Sequence, residues 1–276
     1  MSVPAITPPA LDPAVVADDA RLAAALADGA GHALLGLRER FDGPDSRALK
    51  DAGDRLGHGF LMAALQAYRP DDLVLSEEGK DDPARLDADR VWIVDPLDGT
   101  REFSEPPRVD WAIHVALWER HDGAAGGLTA GAVALPAQGL TLSTYDVAHS
   151  EVRRSSAMGA VPDHPRILVS RTRPPVEAEQ VAAALDGVLV PLGSAGAKVM
   201  AVVLGDAEAY VHSGGQYEWD SAAPVAVASA AGLHCSRIDG SPLVYNQPDV
   251  SLPDLVVCRP ELAQAVLAAI AGEAVG

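Results

Sequence analysis

The sequence predicts an α+β first half followed by an α/β second half. Two stretches with apolar residues at helical spacing precede a series of short apolar strands, which are separated by Gly-rich turns. After residue 165 the pattern changes, and short strands alternate with helical stretches, which is typical of α/β wiring. We therefore predict two domains, at residues 1–150 and 151–276.

The first half is predicted to contain two helices and five strands. Apolar residues recur at helical spacing over residues 15–37, after a proline-rich tail, and again over residues 56–68. Strands are predicted at residues 73–75, 91–94, 112–118, 131–135 and 140–145. The last three strands, joined by Gly-rich turns, predict an antiparallel meander.

The second half follows a connecting stretch at residues 152–165. Its predicted strands lie at residues 167–169, 188–191, 209–212 and 255–258. Its predicted helices lie at residues 177–185, at residues 195–204, from Asp220 onward and at the carboxyl end.

Composition and charge exclude several classes of protein. The apolar share of 48% and the charged share of 22% are typical of a folded globular chain and not of a disordered one. The net charge is −18, and the only lysines are Lys50, Lys80 and Lys198. Because nucleic acids and anionic membranes are bound largely by Lys and Arg, neither is an expected partner. A small anionic substrate is compatible with this charge if bound cations intervene.

Cysteine usage and hydropathy predict a cytoplasmic protein. Cys235 and Cys258 form no C-x-x-C pair and have no His partner at zinc-finger spacing, so neither a disulfide framework nor a structural zinc site is expected. The first 19 residues lack the basic and apolar regions of a signal peptide. The longest uncharged stretch, residues 123–145, contains five glycines and Pro136, so no membrane span is predicted.

The most informative motif is Asp95-Pro96-Leu97-Asp98-Gly99-Thr100, which directly follows an apolar strand. The strand brings two carboxylates to its own end, and Gly99 permits a tight turn before a helix N-terminus. Hard oxygen ligands in this position suit Mg²⁺, and the helix N-terminus suits a phosphate. The simpler interpretation is an Asp-rich turn in which Thr100 caps the helix.

Two further acidic clusters favour the metal interpretation. Glu77 and Glu78 follow the strand at residues 73–75, and Asp220 begins an apolar helix shortly after Gly214-Gly215. A Glu-Glu pair at a strand end is often only solvated. Three acidic clusters, each at the end of a strand or helix, are harder to explain in that way.

Other motifs fit the sequence less well. Asp95 and Asp98 are three residues apart, whereas the paired aspartates of haloacid-dehalogenase phosphatases are two apart. The segment 193–198 lacks the Gly-Lys-Ser/Thr run of a P-loop, and the Gly-x-Gly pairs at residues 29–31 and 57–59 lack the third glycine of a dinucleotide site. His114 and His149 are interpreted as a strand residue and a loop residue.

The three acidic motifs, of which the last reads Trp219-Asp220-Ser221-Ala222-Ala223, resemble the three signatures of the inositol-monophosphatase superfamily. The resemblance extends from about Asp54, which lies 23 residues before Glu77, to about Asn246. It implies a layered αβαβα fold and a Mg²⁺-dependent, lithium-sensitive phosphomonoesterase with two or three metal ions per active site. The first predicted domain would then bind metal, and the second would contribute Asp220 and the substrate-specificity loops.

The resemblance also implies roles for individual residues. One metal ion would be held by Glu77, Asp95 and the Leu97 carbonyl, and a second by Asp95, Asp98 and Asp220. Asp54 and Thr100, with Glu77, would form the catalytic group that orients the attacking water. The Gly99 and Thr100 amides would bind phosphate oxygens.

The residues after the aspartates indicate a branch of the superfamily. Gly99-Thr100-Arg101-Glu102-Phe103 resembles the 3′(2′),5′-bisphosphate nucleotidases more than the inositol phosphatases, which have Gly-Thr-Thr-Asn-Phe. The segments 170–173 and 193–198 resemble two further nucleotidase segments, although Arg173 stands where a histidine is usual. The predicted substrate-binding residues are Gly99, Thr100, Arg101, Ser170, Arg171, Arg173, Ser194 and Lys198. A solvated surface lysine is the simpler interpretation of Lys198.

The expected substrate is 3′-phosphoadenosine 5′-phosphate, which would give AMP and phosphate within sulfate assimilation. An inositol-1-phosphate or fructose-1,6-bisphosphate phosphatase with the same metal site is the nearest alternative. A metal-sensing or nucleotide-sensing binding protein is disfavoured because every acidic position of the motif is present. A homodimer is compatible with the resemblance.

Overall fold

The structure, a computed structural model, describes residues 8–42, 45–121, 124–149 and 159–273. The helices are α1 (Pro13–Val16), α2 (Asp19–Arg40), α3 (Ser46–Tyr68), α4 (Thr100–Phe103), α5 (Thr144–His149), α6 (Val176–Ala184), α7 (Ala195–Leu204), α8 (Glu218–Ala230) and α9 (Ala263–Ala271). The strands are β1 (Leu73–Ser76), β2 (Arg90–Asp98), β3 (Ala112–His121), β4 (Ala124–Leu135), β5 (Leu140–Ser143), β6 (Arg166–Ser170), β7 (Val188–Leu192), β8 (Ala209–Ser213), β9 (His234–Ser236) and β10 (Asp254–Cys258).

The first sheet has the strand order β1-β2-β3-β4-β5 and is covered on both faces. β1 pairs with β2 in parallel, and the other pairs are antiparallel. Alternate residues of β2 face opposite cores: Trp92 and Val94 pack with α2 and α3, whereas Val91 and Ile93 pack with α7 and α8. This strand therefore has the continuous apolar run of a strand that is buried on both faces.

The second sheet has the order β7-β6-β8-β10-β9. β6 is parallel to β7 and β8, and β10 is antiparallel to β8 and β9. Leu168 and Tyr210 face the core that contains α7 and α8, whereas Ile167 and Val211 face α6 and α9. The layers are thus α2/α3, first sheet, α7/α8, second sheet and α6/α9, which confirms the expected αβαβα arrangement.

Most predicted elements are present, with differences at their ends. The first long helix begins at Asp19 because the Asp18 side chain accepts a hydrogen bond from the Arg21 amide at 3.0 Å and caps it. The predicted strand 140–145 ends at Ser143, and the chain continues as α5, so His149 ends a helix instead of lying in a loop. Strand β9 was not predicted, because three residues give too little periodicity to detect.

The predicted domain boundary at residue 150 lies outside the described residues, as do residues 1–7 of the proline-rich tail. The division into domains 1–150 and 151–276 therefore stays a prediction. Within the part of the chain that the structure describes, no helix is both long enough and apolar enough to cross a bilayer.

Candidate active site

The end of β2 is irregular in a way that brings Asp95 and Asp98 together. Residues three apart on a regular strand point to opposite faces. Here Asp95 pairs with His114 and Asp98 pairs with Ala112, so one extra residue lies on β2 and the register shifts. Such a bulge redirects side chains. As a result, single carboxylate oxygens of Asp95, Asp98 and Asp220 all lie within 4.8 Å of one another.

Asp220 reaches this cluster from the second half of the chain. It is the third residue of α8, and its Oδ2 accepts a hydrogen bond from the Tyr217 amide at 2.7 Å. Helix α8 packs on β2, β3 and β4. Gly131 of β4 permits this close approach, because a Cβ at this position would lie 2.6 Å from the Ala226 Cβ. The first sheet and α8 therefore fix the position of Asp220 relative to Asp95 and Asp98.

Glu77 joins the cluster from the end of β1. Its amide donates to the Val94 carbonyl at 3.4 Å, and its carboxyl group hydrogen bonds to Asp95. The residue is exposed overall, but its carboxyl group interacts with those of Asp95, Asp98 and Asp220. Burial of that group, followed by the charge of Asp220, raises the pKa of Glu77 to about 7. Burial and the neighbouring carboxylates Glu77 and Asp98 raise the pKa of Asp95 well above its ordinary value.

The pKa of Asp98 is shifted in the opposite direction from those of Glu77 and Asp95. Burial alone would raise its pKa, but the adjacent His114, the Gly196 amide and Lys198 outweigh burial, and the pKa of Asp98 lies below its ordinary value. The Gly196 amide donates to Asp98 Oδ2 at 2.7 Å, and His114 Nε2 lies 3.1 Å from the same oxygen. Burial alone would lower the pKa of His114, but the nearby carboxylate of Asp98 outweighs burial and raises it, which favours the charged imidazole of an ion pair. Burial, and then Asp98, raises the pKa of Asp220 to about 6.

This donor set fits a hard divalent cation. Four carboxylates converge, and the pKa values of Asp95, Glu77 and Asp220 are raised because their negative charges are close together and partly desolvated. A cation with a preference for oxygen ligands removes both penalties. The Leu97 amide donates to Asp95 Oδ1 at 2.9 Å, which holds the backbone of the motif against its first carboxylate.

Asp54 lies on α3 and Thr100 lies on α4, and these two helices pack against each other. Burial, and then Glu78, raises the pKa of Asp54 to about 6. Asp54 is on α3, and Gly57, one turn later, packs so closely on the motif that a Cβ would lie 2.7 Å from the Pro96 carbonyl oxygen. Thr100 begins α4 immediately after Gly99, which has a φ of 83° and therefore needs glycine.

The structure corrects one interpretation of Lys198, because the side chain is buried and not solvated. Its Nζ donates to the carbonyls of Gly193 and Ser194, in the latter case at 2.9 Å, and lies over the Tyr210 ring. Burial lowers the pKa of Lys198 to about 8. Ser194 is also buried, and its hydroxyl caps α7 by accepting from the Ala197 amide at 3.0 Å.

The predicted arginines differ in their partners. Arg171 pairs with Glu102 Oε1 at 2.7 Å and with Glu105 Oε2 at 3.0 Å, and Arg101 pairs with Glu105 at 3.1 Å. Arg173 is exposed and lies close enough to His212 to help lower the pKa of that histidine, after burial and Lys198. Ser170 ends β6, next to these arginines in the chain.

One residue of the site was missed from the sequence. His114 was interpreted only as a strand residue, but it is fully buried and contacts Asp98. The available signal was a lone histidine in an otherwise apolar strand that follows the metal motif.

The comparison with known proteins agrees with this geometry. The family model described as "Inositol monophosphatase family" matches residues 21–274. The chain belongs to the inositol monophosphatase family. Members of this family depend on a metal, and the acidic cluster can hold one.

Relatives within the family point to one branch. The 3′-phosphoadenosine 5′-phosphate phosphatase of Mycobacterium leprae is 53% identical over 256 residues, which cover 91% of this chain and 93% of that protein. The 3′(2′),5′-bisphosphate nucleotidase CysQ of Escherichia coli K12 is 33% identical, covering 70% and 78%. Among solved structures, CysQ from Bacteroides thetaiotaomicron superposes with a TM-score of 0.71 at 27% identity, covering 87% of this chain and 97% of that one.

Proposed function

We propose that this protein is a Mg²⁺-dependent phosphomonoesterase that hydrolyses the 3′-phosphate of 3′-phosphoadenosine 5′-phosphate to give AMP and phosphate. The observation that carries the proposal is the convergence of Asp95, Asp98 and Asp220, with Glu77 bonded to Asp95. The high identity to a relative named for this activity supports the choice of substrate.

Glu77, Asp95 and the Leu97 carbonyl would hold one Mg²⁺ ion, and Asp95, Asp98 and Asp220 a second, with two or three ions in all. When bound, Mg²⁺ supplies the positive charge that offsets the carboxylates and the phosphate oxygens.

The protein's own groups prepare the water and the phosphate. Asp54 has a pKa of about 6, so it is mostly ionised at neutral pH and can accept a proton from the attacking water. We assign the orientation of this water to Asp54 and the Thr100 hydroxyl, assisted by Glu77. The water oxygen bonds to phosphorus as the bond from phosphorus to O3′ breaks, and O3′ takes a proton to become the 3′-hydroxyl.

Substrate recognition is assigned to the predicted contacts, with Gly99 and Thr100 on the 3′-phosphate. Arg171 is already paired with two glutamates, which offset its charge, and Arg101 is paired with one of them. We therefore assign the 5′-phosphate to Arg173, which is exposed, and to the remaining donor of Lys198, whose other two donors meet the Gly193 and Ser194 carbonyls. Ser170 and Ser194 would line the nucleoside.

The wider setting also stays a proposal. We propose that the reaction serves sulfate assimilation in the cytoplasm, that lithium inhibits it, and that the enzyme binds neither nucleic acid nor membrane. A homodimer is compatible with these assignments.

A substrate comparison tests the proposal. The purified enzyme is assayed with Mg²⁺ on 3′-phosphoadenosine 5′-phosphate, inositol-1-phosphate and fructose-1,6-bisphosphate. We expect the highest kcat/KM on the first, with AMP as the sole nucleotide product by phosphorus NMR. A higher kcat/KM on either alternative substrate, or accumulation of adenosine 3′-monophosphate, would overturn the assignment. Nucleotide binding without turnover at saturating Mg²⁺ would instead indicate a sensor.

A further inference from the structure

His114 occupies a position between the two halves of the acidic cluster. It is the third residue of β3, opposite Asp95, and its side chain is fully buried. Alternate residues of a strand share a face, and Ala112 and Ala116 pack in the core that contains α7 and α8. The imidazole therefore points from the first sheet toward the helix that carries Asp220.

Each ring nitrogen of His114 faces an oxygen from a different element. Nε2 lies 3.1 Å from Oδ2 of Asp98 on β2, and Nδ1 lies 3.1 Å from the carbonyl oxygen of Trp219 on α8. Trp219 immediately precedes Asp220 in the chain. The imidazole ring thus connects the backbone beside Asp220 to the carboxylate of Asp98, and both of these aspartates are predicted metal ligands.

Gly196 completes the surroundings of the same carboxylate oxygen. Its amide donates to Asp98 Oδ2 at 2.7 Å, and a Cβ on residue 196 would lie 2.2 Å from His114 Nε2. The glycine is needed because the imidazole fills that space. With Oδ2 held from two sides, Oδ1 is the oxygen of Asp98 to which the hydrogen bonds of the described residues assign no donor.

We propose that His114 is a positioning residue that holds Asp98 Oδ2 and the Trp219 carbonyl together, and so sets the affinity of the site for divalent cations. The inference rests on the proposed metal site but not on the identity of the phosphate substrate. Groups that orient a metal ligand commonly change metal affinity by 10- to 100-fold when they are removed.

The test compares two amides that each retain one of the two contacts. In His114→Gln the amide nitrogen reaches the position of Nε2 and can still meet Asp98, whereas in His114→Asn it reaches only the position of Nδ1. Mg²⁺ is titrated into the metal-free proteins by calorimetry. We expect the dissociation constant to rise about 10- to 100-fold in His114→Asn and clearly less in His114→Gln. Ile113→Val, on the opposite face of β3, is the control and should lower Tm without changing Mg²⁺ affinity.

Equal Mg²⁺ affinity in wild type and His114→Asn would overturn the proposal, as would equal losses in the Asn and Gln variants. If His114→Asn does not fold, nitrogen NMR of the wild-type imidazole replaces it. The Nε2 resonance should then shift when Mg²⁺ is added, and an unchanged resonance would reject the contact. An enzyme that binds Mg²⁺ but does not hydrolyse the bisphosphate would contradict only the proposed function.

Discussion

At the scale of single residues, the partners of a carboxylate decide its chemistry more than its depth in the protein. Asp95 and Asp98 are three residues apart and both buried, yet their pKa values move in opposite directions. Asp95 faces other carboxylates, whereas Asp98 faces an imidazole, an amide and a nearby ammonium. Two acids of one motif therefore differ in how strongly each holds its proton before any metal binds.

Lys198 provides a residue-scale prediction about substrate choice. If its ammonium holds the 5′-phosphate, Lys198→Ala should lower the kcat/KM ratio of the bisphosphate to inositol-1-phosphate. A lost charge-assisted contact is worth about 1.5–3 kcal/mol, so the ratio should fall roughly 10- to 150-fold. Steady-state kinetics on both substrates measures this ratio.

The contacts that Lys198 makes in the structure suggest the outcome that would contradict this prediction. Two of its three donors already meet the carbonyls of Gly193 and Ser194. If all substrates lose kcat/KM by the same factor, the lysine supports the loop at residues 193–198 and is not a substrate contact. Lys198→Met, which keeps most of the side-chain volume, separates lost charge from a new cavity.

At the scale of elements, the site depends on how closely helices approach the strand that carries Asp95 and Asp98. Helix α3 packs on the turn after Asp95 through Gly57, and α8 packs on β4 through Gly131. Both glycines lie inside regular elements, where glycine is usually unfavourable. Glycine is nevertheless required at both positions, because a side chain there would push α3 or α8 away from the first sheet.

Gly57→Ala tests this packing. Alanine improves helix propensity by about 1 kcal/mol, but the new methyl group would lie 2.7 Å from a backbone oxygen of Pro96. Overpacking of this kind costs about 1–3 kcal/mol, so the clash should win. We expect a lower Tm and weaker Mg²⁺ binding, measured by thermal unfolding and calorimetry.

Gly36→Ala is the matched control in α2. There the nearest atoms to a new Cβ belong to the flexible guanidinium of Arg40, at 3.0 Å. The helix-propensity gain should therefore dominate and raise Tm without a change in Mg²⁺ affinity. A Gly57→Ala protein as stable as Gly36→Ala would show that α3 is not packed as described.

At the scale of the whole molecule, the negative net charge and the buried acidic cluster both make folding of the metal-free protein less favourable. The chain has 39 acidic and 21 basic residues, and the five-layer fold concentrates several acids in one place. Folding therefore raises the pKa of Glu77 to about 7 and those of Asp54 and Asp220 to about 6. Without a metal, the cluster should oppose folding at neutral pH.

The sign of the pH dependence follows from these shifts. Between about pH 4 and pH 7 the folded protein retains protons that the unfolded chain has released, so these acids make the metal-free protein less stable as pH rises. His212, whose pKa burial lowers to about 4, acts in the opposite direction up to about pH 6.5, and so do His58 and His234, whose pKa values burial also lowers. The carboxyl groups with raised pKa values, which also include Asp95 and Glu218, outnumber these histidines, so we expect a net loss of Tm in EDTA from pH 5 to pH 7.5.

Added Mg²⁺ should reverse this trend, because the cation binds the ionised carboxylates. The Tm gain from MgCl₂ should grow with pH, and at 100 times its dissociation constant one ion stabilises by about 2.7 kcal/mol. KCl at equal ionic strength controls for screening of the net charge. In EDTA, Tm should fall less steeply with rising pH in Glu77→Gln than in the wild type. An unchanged dependence of Tm on pH would contradict the raised pKa of Glu77.

The sequence alone determined the order of most helices and strands, the protein family and the acidic residues of the cluster. These features are local: each motif follows an apolar run and ends a strand or begins a helix, and such patterns are visible without a fold. Tertiary structure decided the bulge at the end of β2, the burial of Lys198, the pairing of Arg171 with Glu102, and the contact of His114 with Asp98. Those contacts join residues from different layers, and charge state and burial depend on such neighbours, which the local sequence pattern does not specify.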